Sequence, residues 1–453
     1  MKTKNKRNHS NQTGITLIAL VVTIVVLLIL AGVSLNAIFS ENGIIKRAQD
    51  AQNKMNNAQE SDLNALNDLD KWINNQVNGT TGGNTTGGND NPSTTPKIST
   101  LVGKVVDKNT KAEDAYGNKI TIPKGFKILE HNPTSNTGAV TYNYTNLEET
   151  GEHIPAVQDG IVIEDTQTGT AGNQFVWVPV GTIKNKNGST NTITLGRYEF
   201  DSSTGALKST TPAQVASVEN CTKIVTISKG GTDYQELSTF REGNSATNST
   251  AQNATARNLE EFISTTLANG GYYIARFEAS GTASKIASKY NQTVLGNITQ
   301  PNAAKAAREM YGEIKENNKL VYASDLVNSY AWDTAIIFIQ TYSGKTDYAS
   351  HNESKTTKAF TATGKNNDKY CNIWDMSGNA YECTTEYSTY SDPRRFCPCV
   401  IRGGYYNTNY GEARTYSSYR DYAGMTNSDS HGGLRPPTLC KVALTTGSMN
   451  QKK

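Results

Sequence analysis

The sequence predicts an α+β protein in which one N-terminal membrane helix carries a large outer domain richer in strands than in helices. Three observations point there. Residues 15 to 40, ITLIALVVTIVVLLILAGVSLNAIFS, contain no charged side chain. Residues 78 to 97, NGTTGGNTTGGNDNPSTTPK, contain almost no apolar one. Through the rest of the 453-residue chain, short β-branched and aromatic runs alternate with turn signals.

The first element is the uncharged run. Its 26 residues, at a rise of about 1.5 Å each, outspan the roughly 30 Å hydrocarbon core of a bilayer. Lys2, Lys4, Lys6 and Arg7 precede it and Glu41 follows it, which orients the short N-terminus inside and the remainder outside. A secretory signal peptide has a shorter apolar core closed by small residues at a cleavage site, whereas this run leads on into a helical pattern. There Leu66, Leu69, Ile73 and Val77 recur at steps of three and four, an apolar stripe that suits packing on the protein's own domain as well as on another subunit. The polar stretch after it reads as a flexible tether. The expected organisation is a leader at 1–14, a transmembrane and stalk helix at 15–77, a linker at 78–97 and an outer domain at 98–446.

Charge excludes one class of partner. Of 44 basic residues four lie in the leader, leaving 40 against 41 acidic ones. The body of the protein is electrically neutral, so nucleic-acid binding through a basic face is not expected. Mean hydropathy of −0.56 excludes a polytopic membrane protein.

In the outer domain ITIPKGFKI, GIVIED, NQFVWVPV, TKIVTI and GGYYIARFEA read as strands. NLEEFISTTLANG and SDLVNSYAWDTAIIFIQTY carry apolar residues at helical spacing. No internal repeat or second linker divides the region, so one large domain is expected.

Two family resemblances follow from particular residues. The basic leader ending in Gly14, followed by ITLIALVVTIVVLLILAGVSL, resembles the N-terminus of type IV prepilins of Gram-positive bacteria. The resemblance implies cleavage by a prepilin peptidase between Gly14 and Ile15, N-methylation of the new terminus and packing against other pilin subunits. It departs from the pattern at Ala19, where major pilins carry a glutamate five residues after the cut. Further on, TIPKGFKI, GNQFVWVPV, NGGYYIARFEAS, SYAWDTAIIFI, NIWDMSGNAYECT, IRGGYYN and GGLRPPTLCKV occur in that order. Together they resemble the formylglycine-generating-enzyme family, which implies a large variant of the C-type lectin fold.

That family's chemistry is not supported by the residues at hand. Formylglycine formation uses a cysteine pair to hold copper; on the family pattern Thr408 and Ala413 stand in those places. Iron-dependent relatives use clustered histidines, and His9, His131, His153, His351 and His431 are isolated. Neither copper nor iron is expected, and no hydrolase elbow, H-E-x-x-H or P-loop is present. Cys221, Cys371, Cys383, Cys397, Cys399 and Cys440 fit one to three disulfides outside the cell or buried thiols. The resemblance implies a structural calcium ion held by Asp375, Gly378, Ala380 and Glu382 of WDMSGNAYE. The alternative is a tight turn at Gly378 and Asn379 with Glu382 paired to an arginine such as Arg402.

Between Thr384 and Ser430, Tyr387, Tyr390, Tyr405, Tyr406, Tyr410, Tyr416, Tyr419 and Tyr422 stand among Asn, Ser, Thr, Asp and Arg. This is the composition of an adaptable binding surface, although some of these rings must serve the core. It also resembles the C-terminal end of variable proteins of diversity-generating retroelements. The expected function is recognition. A prepilin-like, single-pass cell-surface protein displays a ligand-binding domain that contacts an extracellular protein or glycan through Tyr406, Asn407, Asn409, Tyr410, Tyr416, Tyr419 and Tyr422. The alternatives are an oxidase of the formylglycine-generating or non-haem iron type and a minor pilin without a ligand.

Overall fold

The computed structural model describes residues 95–129, 156–209, 214–217, 226–236, 256–296, 298–352, 360–392, 395–396, 398–404, 416–423, 438–440 and 442–447. The Gly14–Ile15 cut, Ala19, the helix at 15–77 and the linker up to residue 94 lie outside them. Contacts divide the chain into Met1–Asn91 and Pro92–Lys453, and all described residues belong to the second unit. Among the described residues no helix is long and apolar enough to cross a membrane.

The outer domain is a mixed helix-and-sheet fold dominated by strands, with a sheet curled into a half-barrel. It opens with a short helix α1 (Ile98–Leu101) and the hairpin β1 (Thr110–Glu113) and β2 (Lys119–Ile122). Then come β3 (Phe126–Ile128), β4 (Val162–Asp165), β5 (Gln174–Pro179) and a second hairpin, β6 (Gly181–Lys184) with β7 (Thr190–Ile193). A third hairpin pairs β8 (Thr226–Lys229) with β9 (Thr232–Gln235), and helix α2 (Leu259–Asn269) leads into β10 (Gly271–Ala275). Helix α3 (Gln300–Tyr311), β11 (Glu313–Glu316), β12 (Lys319–Leu326) and helix α4 (Ser329–Tyr342) follow. The chain closes with β13 (Tyr381–Ser388), β14 (Cys399–Arg402), β15 (Arg420–Ala423), β16 (Thr438–Cys440) and β17 (Val442–Thr446).

Seven strands form one sheet in the order β11-β12-β17-β10-β5-β4-β3. Its pairings are antiparallel throughout, and the C-terminal β17 sits inside it, between β12 and β10. Alternation along β5 sends Phe175 and Trp177 to one core and Val176 and Val178 to the other. Both faces are covered, which is why NQFVWVPV is an unbroken apolar run and not an alternating one. On one face α4 packs Trp332, Ile336 and Ile339, with Leu259, Phe262 and Ile263 of α2 beside them. On the other, α3 contributes Ala303, Ala304, Ala306 and Ala307, small side chains that let the helix lie close to the sheet.

The helix ends are written locally. Asn258 caps α2 by accepting from the Glu261 amide at 3.0 Å, and Gly270 ends that helix with φ of 73°. Asn328 caps α4 by accepting from the Ala331 amide at 2.9 Å. SDLVNSYAWDTAIIFIQTY is therefore not one helix: its first three residues finish β12, and the cap at Asn328 starts α4. Helix α3 was not among the expected elements, because QPNAAKAAREMY shows an alanine face in place of a large-residue stripe.

The second sheet has the order β8-β9-β13-β14-β15, with β16 joined to β13 in parallel. That parallel pairing sets Cys440 in register with Cys383. Cys383 and Cys399 are buried, and burial pushes the Cys371 thiol well above its ordinary range.

Candidate functional site

The site is built where the segments WDMSGNAYE and IRGG meet. Arg402 ends β14 and Gly403 follows it, and the loop Asp375–Ala380 leads into β13. Gly403 has φ of 80°, and a Cβ on it would lie 2.7 Å from Glu382 Oε2, 2.8 Å from the Met376 carbonyl oxygen and 3.3 Å from Trp332. Only glycine fits this corner, for conformation and for space alike.

Beneath the corner lies a fully buried ion network. Arg402 on β14 faces Arg420 on β15 in register, two like charges that would repel if left alone. Two carboxylates separate them. Glu386 of β13 takes Arg402 Nη1 at 3.0 Å and Arg420 Nε at 3.0 Å, and it takes Arg197 Nη2 at 2.8 Å. Asp333, in the middle of apolar α4, takes Arg420 Nη2 at 2.8 Å and also Arg402 Nη2. Arg402 Nε donates to the Tyr419 carbonyl at 3.0 Å. Burial raises the Glu386 carboxyl, but the charges of Arg420, Arg402 and Arg197 outweigh it and bring the group down to about 2.

A third carboxylate completes the set. Glu236 follows β9, is fully buried, and accepts from the Ser329 amide at 2.8 Å, the Ser329 hydroxyl at 2.7 Å and the Thr385 hydroxyl at 2.6 Å. Burial, and then the charge of Glu386, push its carboxyl up to about 7 in spite of those hydrogen bonds. Three arginines thus meet Glu386 and Asp333, with the raised carboxyl of Glu236 beside Glu386. Sequence reasoning missed Arg197, Glu236, Asp333, Glu386 and Arg420. The available signal was a charged residue inside an apolar run, as Asp333 is in SYAWDTAIIFI, since such residues stay buried only when paired.

The segment carrying the predicted tyrosines is stitched to this base. Trp332 Nε1 donates to the Ser417 carbonyl at 3.0 Å, and the Ser417 and Ser418 hydroxyls donate to the carbonyls of Tyr348 and Ala349 at 2.5 and 2.7 Å. Tyr416 and Tyr419 keep only 8% and 4% of their surface exposed. They pack with Tyr381 and Ile401, the Tyr419 ring stacking on Tyr381 at 5.6 Å. These two rings turn inward from the segment that precedes β15. Tyr422 is half-exposed and stacks on half-exposed Tyr390, their rings 3.5 Å apart and 4° from parallel. Tyr406, Asn407, Asn409 and Tyr410, with Thr408 and Ala413, lie outside the described residues.

Of the expected calcium ligands, Asp375, Ala380 and Glu382 are fully buried. The loop that holds them is tightly turned, with φ of 58° at Asp375 and 66° at Asn379. It is braced by Asp368, whose carboxylate accepts from the Ser377 amide at 2.6 Å and the Tyr348 hydroxyl at 2.9 Å. Arg402 does not serve Glu382, since its three nitrogens are engaged with Tyr419, Glu386 and Asp333. Among the described residues no three of His, Cys, Asp and Glu converge as a metal-binding group.

No family model matches this chain, and no curated protein or solved structure matches it.

Proposed function

We propose that this is a prepilin-like cell-surface protein whose outer domain is a C-type-lectin-like module of the formylglycine-generating-enzyme type, displayed to bind an extracellular protein or glycan. The observation that carries the binding reading is the pairing of a rigid base with an open aromatic edge. Strands β14 and β15 are fixed from below by buried ion pairs, and the half-exposed Tyr390–Tyr422 stack lies on β15 and the residue pair next to β13. A flat aromatic pair held on a stiff sheet gives a ligand apolar contact at little entropic cost. WDMSGNAYE and RGG, at the ends of the neighbouring strands β13 and β14, meet at Gly403.

In this reading calcium is held by Asp375, Glu382 and the backbone carbonyls of Gly378 and Ala380. It supplies charge to fix the loop and takes no part in chemistry. The N-terminal helix anchors the protein in the membrane, and cleavage at Gly14 by a prepilin peptidase would hand it to a pilus assembly.

The test is binding of the purified protein to arrayed glycans and surface proteins, followed by Tyr390→Ala and Tyr422→Ala on any hit. Each substitution is expected to weaken binding by about tenfold or more, as for central aromatic contacts. Unchanged binding in both variants would move the site elsewhere. Copper or iron bound at stoichiometric level, with oxidation of a thiol peptide, would replace recognition by catalysis.

A further inference from the structure

A second site lies away from the tyrosine-bearing strands, at the far end of α2. A cleft of about 330 Å³ opens between the hairpin β1–β2, strand β6 and the C-terminal turn of α2. The volume is within the range of small-molecule sites, about 300–1,000 Å³. Every ionisable side chain lining it is a lysine: Lys111, Lys119 and Lys184. In a body with almost equal numbers of acids and bases, three cations and, among the described residues, no carboxylate lining one cleft is a local excess.

Among the described residues the nearby carboxylates are engaged elsewhere. The carboxylate facing Lys119 across the hairpin is Glu113, and Glu113 is engaged by Lys97 at 2.9 Å. Among the described residues no ion pair is formed by Lys111, Lys119 or Lys184. The lysines stand on a rigid frame. Buried Asn118 accepts from the Lys184 amide at 2.8 Å and donates to the Lys184 carbonyl at 2.9 Å, so the hairpin turn is clipped to β6. Asp114, itself buried, accepts from the Asn118 amide and side chain at 2.8 and 2.9 Å and from the Val157 amide at 3.1 Å.

The rest of the lining is aliphatic. Val157, Pro179, Val180 and Ile183 line the cleft, and Leu267 stands 45% exposed at its rim. A large apolar side chain left open beside cations that form no ion pair among the described residues suits a ligand with both characters. We infer that this cleft binds a small organic anion, a carboxylate or phosphate ester with an aliphatic body of a few carbons, its headgroup on Lys111, Lys119 and Lys184 and its chain against Leu267. This goes beyond the proposed recognition of a surface partner and does not depend on it.

The experiment measures acylation of individual lysines in the full-length protein, read by mass spectrometry, with hexyl phosphate or hexanoate added. Inorganic phosphate serves as the charge-only control and hexanol as the apolar-only control. Either organic anion is expected to protect Lys111, Lys119 and Lys184 while leaving Lys104 and Lys108 unchanged, and to do so at a concentration about tenfold or more below that needed for either control. Added salt weakens the protection. Direct binding of hexyl phosphate is expected to fall by at least about tenfold in the variant carrying Lys119→Glu and Lys184→Glu, whose folding is checked by circular dichroism. Absence of protection by both anions overturns the inference. Inorganic phosphate or hexanol protecting as well as the organic anions overturns it too, and so does unaltered hexyl phosphate binding by the folded double variant.

Discussion

The two large sheets of this domain are held by different physics. The seven-stranded sheet is covered on both faces by apolar side chains, with Phe175, Trp177, Tyr273 and Leu444 on one side and Val176, Val178, Tyr272 and Ile274 on the other. The sheet that carries β13, β14 and β15 has at its centre Arg402, Arg420, Arg197, Glu386 and Asp333, all buried. An apolar core tolerates a lost contact by partial collapse. A buried ion network does not, because removing one member leaves another as an uncompensated charge. Apolar packing holds the first sheet, and buried ion pairs tie β14 to β15 in the second.

Asp333→Ala breaks the comparison most severely. It strips one carboxylate from between Arg402 and Arg420, and the expected loss is about 3–5 kcal/mol of unfolding free energy, measured by urea denaturation of residues 92–453. A loss below about 1 kcal/mol would mean that the network is solvated and the contrast between the sheets is false.

Glu236 gives a pH-dependent version of the same test. Its carboxyl is raised in the folded protein, from 4.5 to about 7, so the folded state holds its proton more tightly than the unfolded one. Its contribution is fully present below pH 4.5 and is lost as pH rises to about 7, a decline of about 3 kcal/mol. Glu386, lowered from 4.5 to about 2, acts oppositely: its contribution is present above pH 4.5 and is lost as pH falls toward about 2. Glu236→Gln should flatten the decline between pH 4.5 and 7 and leave the acid limb in place. An unchanged slope in the neutral window would assign that titration to another group.

Gly403→Ala addresses the corner itself. The new methyl group would meet the Glu382 carboxylate and the Met376 carbonyl at a positive φ, at a cost of about 1–3 kcal/mol. If calcium occupies this corner, the variant should also lose the rise in melting temperature that added calcium gives the parent. Wild-type stability in Gly403→Ala would remove the steric argument. The mildest change is Asn258→Ala, which deletes the α2 cap and should cost about 1 kcal/mol without touching either sheet. A much larger effect would show that α2 supports more than its own apolar face.

Local signals were legible where the chemistry is local. NQFVWVPV and GGYYIARFEA could be read as strands because their side chains suit a pleated, covered surface, and they pair directly as β5 and β10. NLEEFISTTLANG showed its helix together with the asparagine and glycine that bound it. Helix α3 was not legible, since its buried face is alanine and the strand it packs on is chosen by the fold. At the site, RGG and WDMSGNAYE could be picked out as segments, but nothing in their spacing tells that Gly403 abuts Glu382, or that Arg402 reaches Glu386 and Asp333 instead. The tyrosines show the same limit. Composition marked the stretch, and only packing separates buried Tyr416 and Tyr419 from half-exposed Tyr422.

The sequence by itself determined the mixed helix-and-strand character of the outer domain and its nearly neutral charge, because propensity and charge are properties of short segments or of simple counts. Tertiary structure alone decided which charges are buried together, which tyrosines open to solvent, and that three lysines from two hairpins share one cleft. These depend on contacts between residues as far apart as Arg197 and Glu386. The energy of such a contact is set by burial and by the partner's charge, and a linear pattern carries neither.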